Sequence, residues 1–175
     1  DFARCRAVVV DVSNNRGGYD TVSRAIAARF ARRPFAAYSK QAVGATLPPF
    51  TFHIEPAMGA RFTGPVYVVT SDITVSAGEI FVMAMRALPN VRQVGQPTRG
   101  ALSNPVQKPL PNGWNLTLSA EIYRDSAGRW PEVIGISPQV PLVVFPPEDL
   151  DGGHARALSG FIASLRTRGL RNSRP

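Results

Sequence analysis

Apolar positions along this chain fall into short β-branched runs that alternate with stretches of helical period. Val66-Tyr67-Val68-Val69-Thr70 is a continuous run, the pattern of a buried strand. Arg6 to Val12 reads the same way around Ala7-Val8-Val9-Val10, and the polar segment Ser13 to Gly18 ends it. From Thr21 to Arg32 the period changes. Val22, Ile26 and Phe30 share one helical face, and Pro34 stops the pattern. Phe35 to Phe62, interrupted by prolines and glycines, predicts an irregular excursion or short edge strands. Polar Ser71, Asp72 and Thr74 break the chain after Thr70, and Ala77 to Leu88 is apolar and helix-compatible. Val91 to Val94 predicts a short strand ending at Gly95. Pro111-Asn112-Gly113 is a turn signal, so Val106 to Leu110 and Trp114 to Tyr123 predict a hairpin. Ala157 to Leu165 predicts a terminal helix, followed by a frayed end from Gly169 to Pro175. Strand–helix–strand–helix order, then a hairpin, argues for α/β layering with a mixed sheet flanked by helices.

Composition narrows the picture without deciding it. At 175 residues and 44% hydrophobic content the chain is one ordinary globular domain by length. Residues 1–147 are expected to form the core, and residues 148–175 a C-terminal helix and tail packed on it or trailing from it. No apolar run approaches the ~20 residues of a membrane span. The chain opens at Asp1 and goes almost directly into a strand pattern, which is expected of a mature piece or a fragment. Net charge is +8, and 18 of the 20 basic residues are arginine. The arginines are scattered and do not alternate with aromatics, so specific nucleic-acid binding is not expected. Cys5 is the only cysteine, which excludes an intrachain disulfide. Nothing in the pattern calls for a metal or a cofactor.

Candidate chemistry centres on Ser76. It stands between the run Val66–Thr70 and the helix-compatible stretch from Ala77. A serine at a strand-to-helix turn is aimed outward, and the first free amides of the helix point back toward it. Acyl transfer needs that combination: a hydroxyl held still, with N–H donors where an oxyanion will form. Glu79, three residues on, gives the same serine the spacing of a capping box. The two roles are compatible. Gly17-Gly18 lets the backbone approach a ligand closely, or simply makes a tight turn after a strand.

Five segments, in order, resemble the S41 serine peptidases, the tail-specific or C-terminal processing and tricorn group. They are Asp11-Val12-Ser13-Asn14-Asn15-Arg16-Gly17-Gly18, Thr74-Val75-Ser76-Ala77-Gly78-Glu79, Gly95-Gln96-Pro97-Thr98-Arg99-Gly100, Leu110-Pro111-Asn112-Gly113 and Gly135-Ile136-Ser137-Pro138-Gln139-Val140. The resemblance runs from about Ala7 to Val144. It implies a crotonase/ClpP-like S41 catalytic core, with Gly135 to Val140 as a late strand. It also implies Ser76 as nucleophile, amides of Gly18 (Gly17 second) and Ala77 as oxyanion hole, and Thr98 and Gly100 at the substrate. A periplasmic or secreted bacterial protein is favoured by the same likeness.

The chain departs from the processing-protease pattern at the general base. The lysine position of that loop is Ala101, followed by Leu102. Lys108 and Lys40 do not match it, so a Ser–Lys dyad is not expected. The tricorn-like branch uses serine, histidine and glutamate, and Glu132 resembles its glutamate, where a carboxylate would orient the histidine ring. The matching histidine would lie upstream of Asp1. His53 comes after the glycine turn and His154 in a terminal loop, so neither corresponds.

Three readings follow. The first is a serine-type endopeptidase or carboxyl-terminal processing peptidase of the tricorn-like branch. It would act on peptide or protein substrates, with its base supplied by an upstream segment of the same protein; this stretch alone would be inactive, and a homo-oligomer is open. The second is a catalytically silent relative that binds hydrophobic ligands or peptides. The third is a crotonase-type acyl-CoA enzyme, which would not need Ser76.

Overall fold

The computed structural model describes residues 5–171, with side chains through residue 167. Strand β1 (Val8–Asp11) and β4 (Val66–Thr70) pair in parallel, β4 pairs in parallel with β5 (Val91–Gly95), and the short β9 (Val140–Pro141) closes the order β1-β4-β5-β9. The unbroken apolar run of β4 follows from its position. An interior strand of a parallel sheet is covered on both faces, so every side chain must be apolar. On one face Val66 and Val68 join the main core with Ile80 and Phe81 of α2 (Ala77–Arg86). On the other, Val69 and its register partner Val94 are fully buried. Tyr67 on that second face meets Phe161 edge-on at 5.3 Å, which docks α3 (Gly153–Arg171).

Helix α2 is the hydrophobic centre. Every residue from Ala77 to Met85 is buried, because α2 touches α1 (Asp20–Ala27), β2 (Phe35–Ala42) and β5. A helix apolar all round needs partners all round. Helix α1 runs on into a 3-10 turn, Ala28–Phe30, where Phe30 is buried, whereas Val22 and Ile26 of the expected apolar face are exposed.

Three sequence expectations are corrected. Phe35 to Phe62, expected as an irregular excursion or short edge strands, holds one short edge strand, β3 (Phe50–Ile54), but also β2, the central strand of an antiparallel sheet β3-β2-β8, with β8 at Glu121–Asp125. The alternation of β2 is blurred because consecutive Ala37 and Tyr38 are both buried, with Tyr38 stacked on Phe52 (4.7 Å), where the pairing with β3 shifts register between Ala36 and Tyr38. The hairpin arm Trp114 to Tyr123 is two strands. β7 (Asn115–Ser119) pairs with β6 (Pro105–Pro109), then the chain turns at Ala120 and β8 pairs with β2. Finally, only Val140 of the stretch Gly135 to Val140 is in a strand. Gly135, at φ +73°, has no room for a side chain: a Cβ there would meet the Thr98 carbonyl oxygen. The segment packs as a loop against Thr98 instead. Among the described residues no helix is long and apolar enough to cross a membrane.

Candidate active site

Ser76 is the residue from which α2 starts, and its backbone is unusual. Its φ of 57° and ψ of −125° lie far from the extended conformation of an ordinary N-cap. A side chain held there costs on the order of 1–3 kcal/mol and persists only where the surroundings over-determine it. They do. The Ser76 amide donates to the Ala101 carbonyl oxygen at 3.0 Å and to Glu79 Oε2 at 3.3 Å. The neighbouring Val75 amide donates to the Asn15 carbonyl oxygen at 3.0 Å, and the Ser76 carbonyl oxygen accepts the amides of Glu79 (2.8 Å) and Ile80 (3.1 Å). Ser76 and Glu79 stand in capping-box relation: the Glu79 carboxylate accepts the Ser76 amide, and the Ser76 side chain faces the Glu79 amide without forming a full cap hydrogen bond. The bonds that close the helix start are backbone bonds and the Glu79 carboxylate.

The glycine turn arrives at the same place. Gly17, at φ +105°, lies so close that an added Cβ would stand 2.9 Å from Ser76 Cβ and 3.2 Å from Oγ. Three side chains weld the two segments together. Thr74 Oγ1 donates to the Val12 carbonyl (2.9 Å) and Ser71 Oγ to the Ser13 carbonyl (2.6 Å). Asn15 Oδ1 accepts the Gly17 amide at 2.8 Å, while Asn15 backs onto Gly78, where a Cβ would meet its carbonyl oxygen at 3.2 Å. Asn15 and Thr74 were legible only as parts of a motif; their roles depend on contacts across some 60 residues of chain. The Gly17 amide is engaged by Asn15, whereas those of Gly18 and Ala77 donate to no acceptor among the described residues.

Glu79 is the hub behind the serine, and sequence reading saw only its capping spacing. It is fully buried. Its Oε1 accepts from Thr98 Oγ1 (2.6 Å) and the Gly100 amide (2.7 Å), and its Oε2 from the amides of Ala101 (2.9 Å) and Ser76 (3.3 Å). A buried carboxylate is tolerated only when its oxygens are so occupied. Thr98 and Gly100 are themselves buried, and their polar groups turn inward. Thr98 Oγ1 also accepts the Ile136 amide (2.7 Å), and the Gly100 carbonyl oxygen accepts that of Val133 (2.7 Å). They support the turn at Ser76 from behind.

Glu132, on the loop that follows β8, reaches the residue after Ala101, Leu102. Its Oε2 accepts the Leu102 amide and its Oε1 the Ser119 hydroxyl, both at 3.1 Å. Ala101, the position of the processing-protease lysine, contacts the Ser76 amide through its carbonyl oxygen. Neither lysine does so: Lys40 is ion-paired with Glu121 at 2.9 Å on the antiparallel sheet, and Lys108 is exposed on β6. His53 is exposed on β3 opposite Ala36. His154 is not in a loop but in the first turn of α3, where its Nε2 lies 2.9 Å from Asp11 Oδ2 and its ring stacks on Phe145.

A cavity of about 190 Å³ opens between α1 and α2, lined by Gly17 and Ala77, the neighbours of Ser76, and by Val12, Val22, Ile26 and Phe81. Ser23 fixes its floor by donating to the Ala77 carbonyl oxygen at 2.9 Å. This lining suits an apolar side chain.

The sequence model of peptidase family S41 matches residues 1–142. The chain belongs to peptidase family S41. A candidate peptidase structure from Parabacteroides merdae superposes with TM-score 0.83 at 30% identity, over 94% of this chain and 53% of that one. Mature CPAF in complex with lactacystin superposes with TM-score 0.81 at 15% identity, over 96% and 45%. The photosystem II D1 C-terminal processing protease does so with TM-score 0.67 at 21% identity, over 87% and 39%. The S41 member therefore spans about half the length of the first of these and less of the others. No curated protein matches this S41 chain.

Proposed function

We propose that this S41 chain carries the nucleophile half of a serine peptidase, with Ser76 attacking the scissile carbonyl. The observation that carries the reading is the strained Ser76 held against the Gly17-Gly18 turn. In this mechanism Ser76 Oγ bonds to the carbonyl carbon as its proton passes to a base, and the oxygen becomes an oxyanion between the amides of Gly18 and Ala77. The C–N bond then breaks, the amine leaves with the proton, and water hydrolyses the acyl-enzyme. The apolar cavity beside Ala77 would take the side chain on the acyl side of the cut. The base is a histidine from an upstream segment of the same protein, held by Glu132.

A second reading, a silent S41 relative that binds apolar ligands or peptides, draws on Ala101 standing where the family's lysine would be. A fluorophosphonate probe separates the two. In the peptidase reading the full-length protein is labelled at Ser76 and cleaves unstructured polypeptides, whereas the 175-residue chain labels slowly for lack of a base. Full-length protein that neither labels nor cleaves, yet binds an apolar peptide, would overturn the peptidase reading.

A further inference from the structure

At the opposite end of the parallel sheet, two adjoining concavities of about 380 Å³ each share Arg32 and Thr63. Arg92 and Tyr67 line the first, at the starts of β4 and β5, and Arg61 lines the second. Arg32 is held in place by donating to the Thr63 carbonyl oxygen at 3.0 Å. Arg61 and Arg92 are exposed, and among the described residues none of the three forms an ion pair. No carboxylate lines either concavity. The sequence explains the imbalance: Glu55 is the only acidic residue from Thr21 to Ser71, and there is none from Ile80 to Ala120. Three like charges gathered with no counter-charge repel one another, and an anionic occupant would relieve that repulsion.

We propose that Arg32, Arg61 and Arg92 form an exosite that docks an acidic stretch of polypeptide. The choice of a polypeptide rests on the peptidase reading above. It also fits the shape, since two linked hollows accept an extended chain, whereas a bilayer surface would need projecting side chains. The guanidinium forks suit carboxylates, which they grip through paired N–H donors. The exosite lies at the N-terminal ends of the strands and Ser76 beyond the C-terminal end of β4, so at least about 13 Å of strand separates them. A substrate bridging both would need roughly five or more extended residues between its acidic stretch and its cleavage point.

Fluorescence polarisation of a labelled peptide of about ten residues, alternating Glu and Ala, tests this on the 175-residue chain without any hydrolysis. Binding should weaken about tenfold or more as salt rises from about 50 mM to about 500 mM. It should weaken at least about tenfold in an R32S/R61S/R92S variant, whose melting temperature should hold or rise as like charges are removed. An R6S/R124S/R166S variant, equal in charge, should bind like the parent. S76A should also bind like the parent, so failure of the nucleophile assignment would leave this result standing. Absence of binding, equal loss in the two arginine variants, or tighter binding to vesicles of anionic lipid or to RNA than to the peptide would overturn the proposal.

Discussion

Gly17 and Ser76 are in van der Waals contact across 59 positions of sequence, with room for no atom between them: a Cβ on Gly17 would stand 2.9 Å from that of Ser76. Gly18, at φ +142°, differs, since nothing lies within 4 Å of where its Cβ would go. The two glycines should therefore respond differently to the same substitution. Gly18→Ala carries backbone strain alone, about 1–2 kcal/mol. Gly17→Ala adds a collision with the serine, so it should lower the melting temperature further and abolish labelling of Ser76 in the full-length protein. Equal effects at both positions would mean that the turn does not press on the serine.

Ser76→Ala should change stability by less than about 0.5 kcal/mol, because the hydroxyl forms no full cap hydrogen bond, whereas an ordinary cap deletion costs about 0.5–2 kcal/mol. Ser76→Gly should stabilise the chain by about 1 kcal/mol, since glycine accepts φ +57° without penalty. Thermal unfolding of the two variants reads both numbers. In the full-length protein each should remove hydrolysis.

Glu79→Gln should be among the most damaging conservative changes. It turns one carboxylate oxygen into an NH₂ facing amide donors that already point at it, and removes a charge that shortens four hydrogen bonds. A loss of about 3 kcal/mol is expected in denaturant unfolding. Thr98→Val, which deletes only one of those donors and leaves the Ile136 amide unpaired, should cost about 1–2 kcal/mol.

Glu132→Gln should leave folding nearly unchanged: the glutamine oxygen can still accept the Leu102 amide, and its NH₂ can donate to the Ser119 hydroxyl, which is free to reverse its role. If Glu132 holds the incoming histidine, turnover in the full-length protein should fall while the Michaelis constant stays level, because glutamine cannot stabilise an imidazolium by charge. Unchanged kinetics would leave Glu132 as a brace for the loop and favour the silent reading.

Burial pushes the Tyr38 hydroxyl up from 10.0 to about 12, against the opposing pull of Arg24. The folded state thus holds that proton more tightly than the unfolded one. The stabilisation is fully present below about pH 10 and is lost as pH rises toward 12. Ultraviolet titration should show Tyr38 ionising late, in step with loss of fold, and Tyr38→Phe should flatten the fall of melting temperature across that window.

The strands β1, β4 and β5, helices α1 and α2, and the position of Ser76 between β4 and α2 were all readable from the sequence, because each rests on local periodicity and local turn chemistry. The family was readable too, since its motifs are contiguous. What lay beyond reach was whatever depends on distant partners. Strand β2 looked irregular because its alternation answers to Phe52 and Tyr123 on two other strands. Glu79 looked like a cap because only Ser76 among its four donors is local, while Thr98, Gly100 and Ala101 lie 19 to 22 residues on. His154 looked like a loop residue because α3 begins earlier than its apolar period suggests. Tertiary structure alone decided that Ser76 adopts a positive φ: a strained backbone has no local signature, and it exists only where packing from Gly17, Asn15, Ala101 and Glu79 outweighs the residue's own preference.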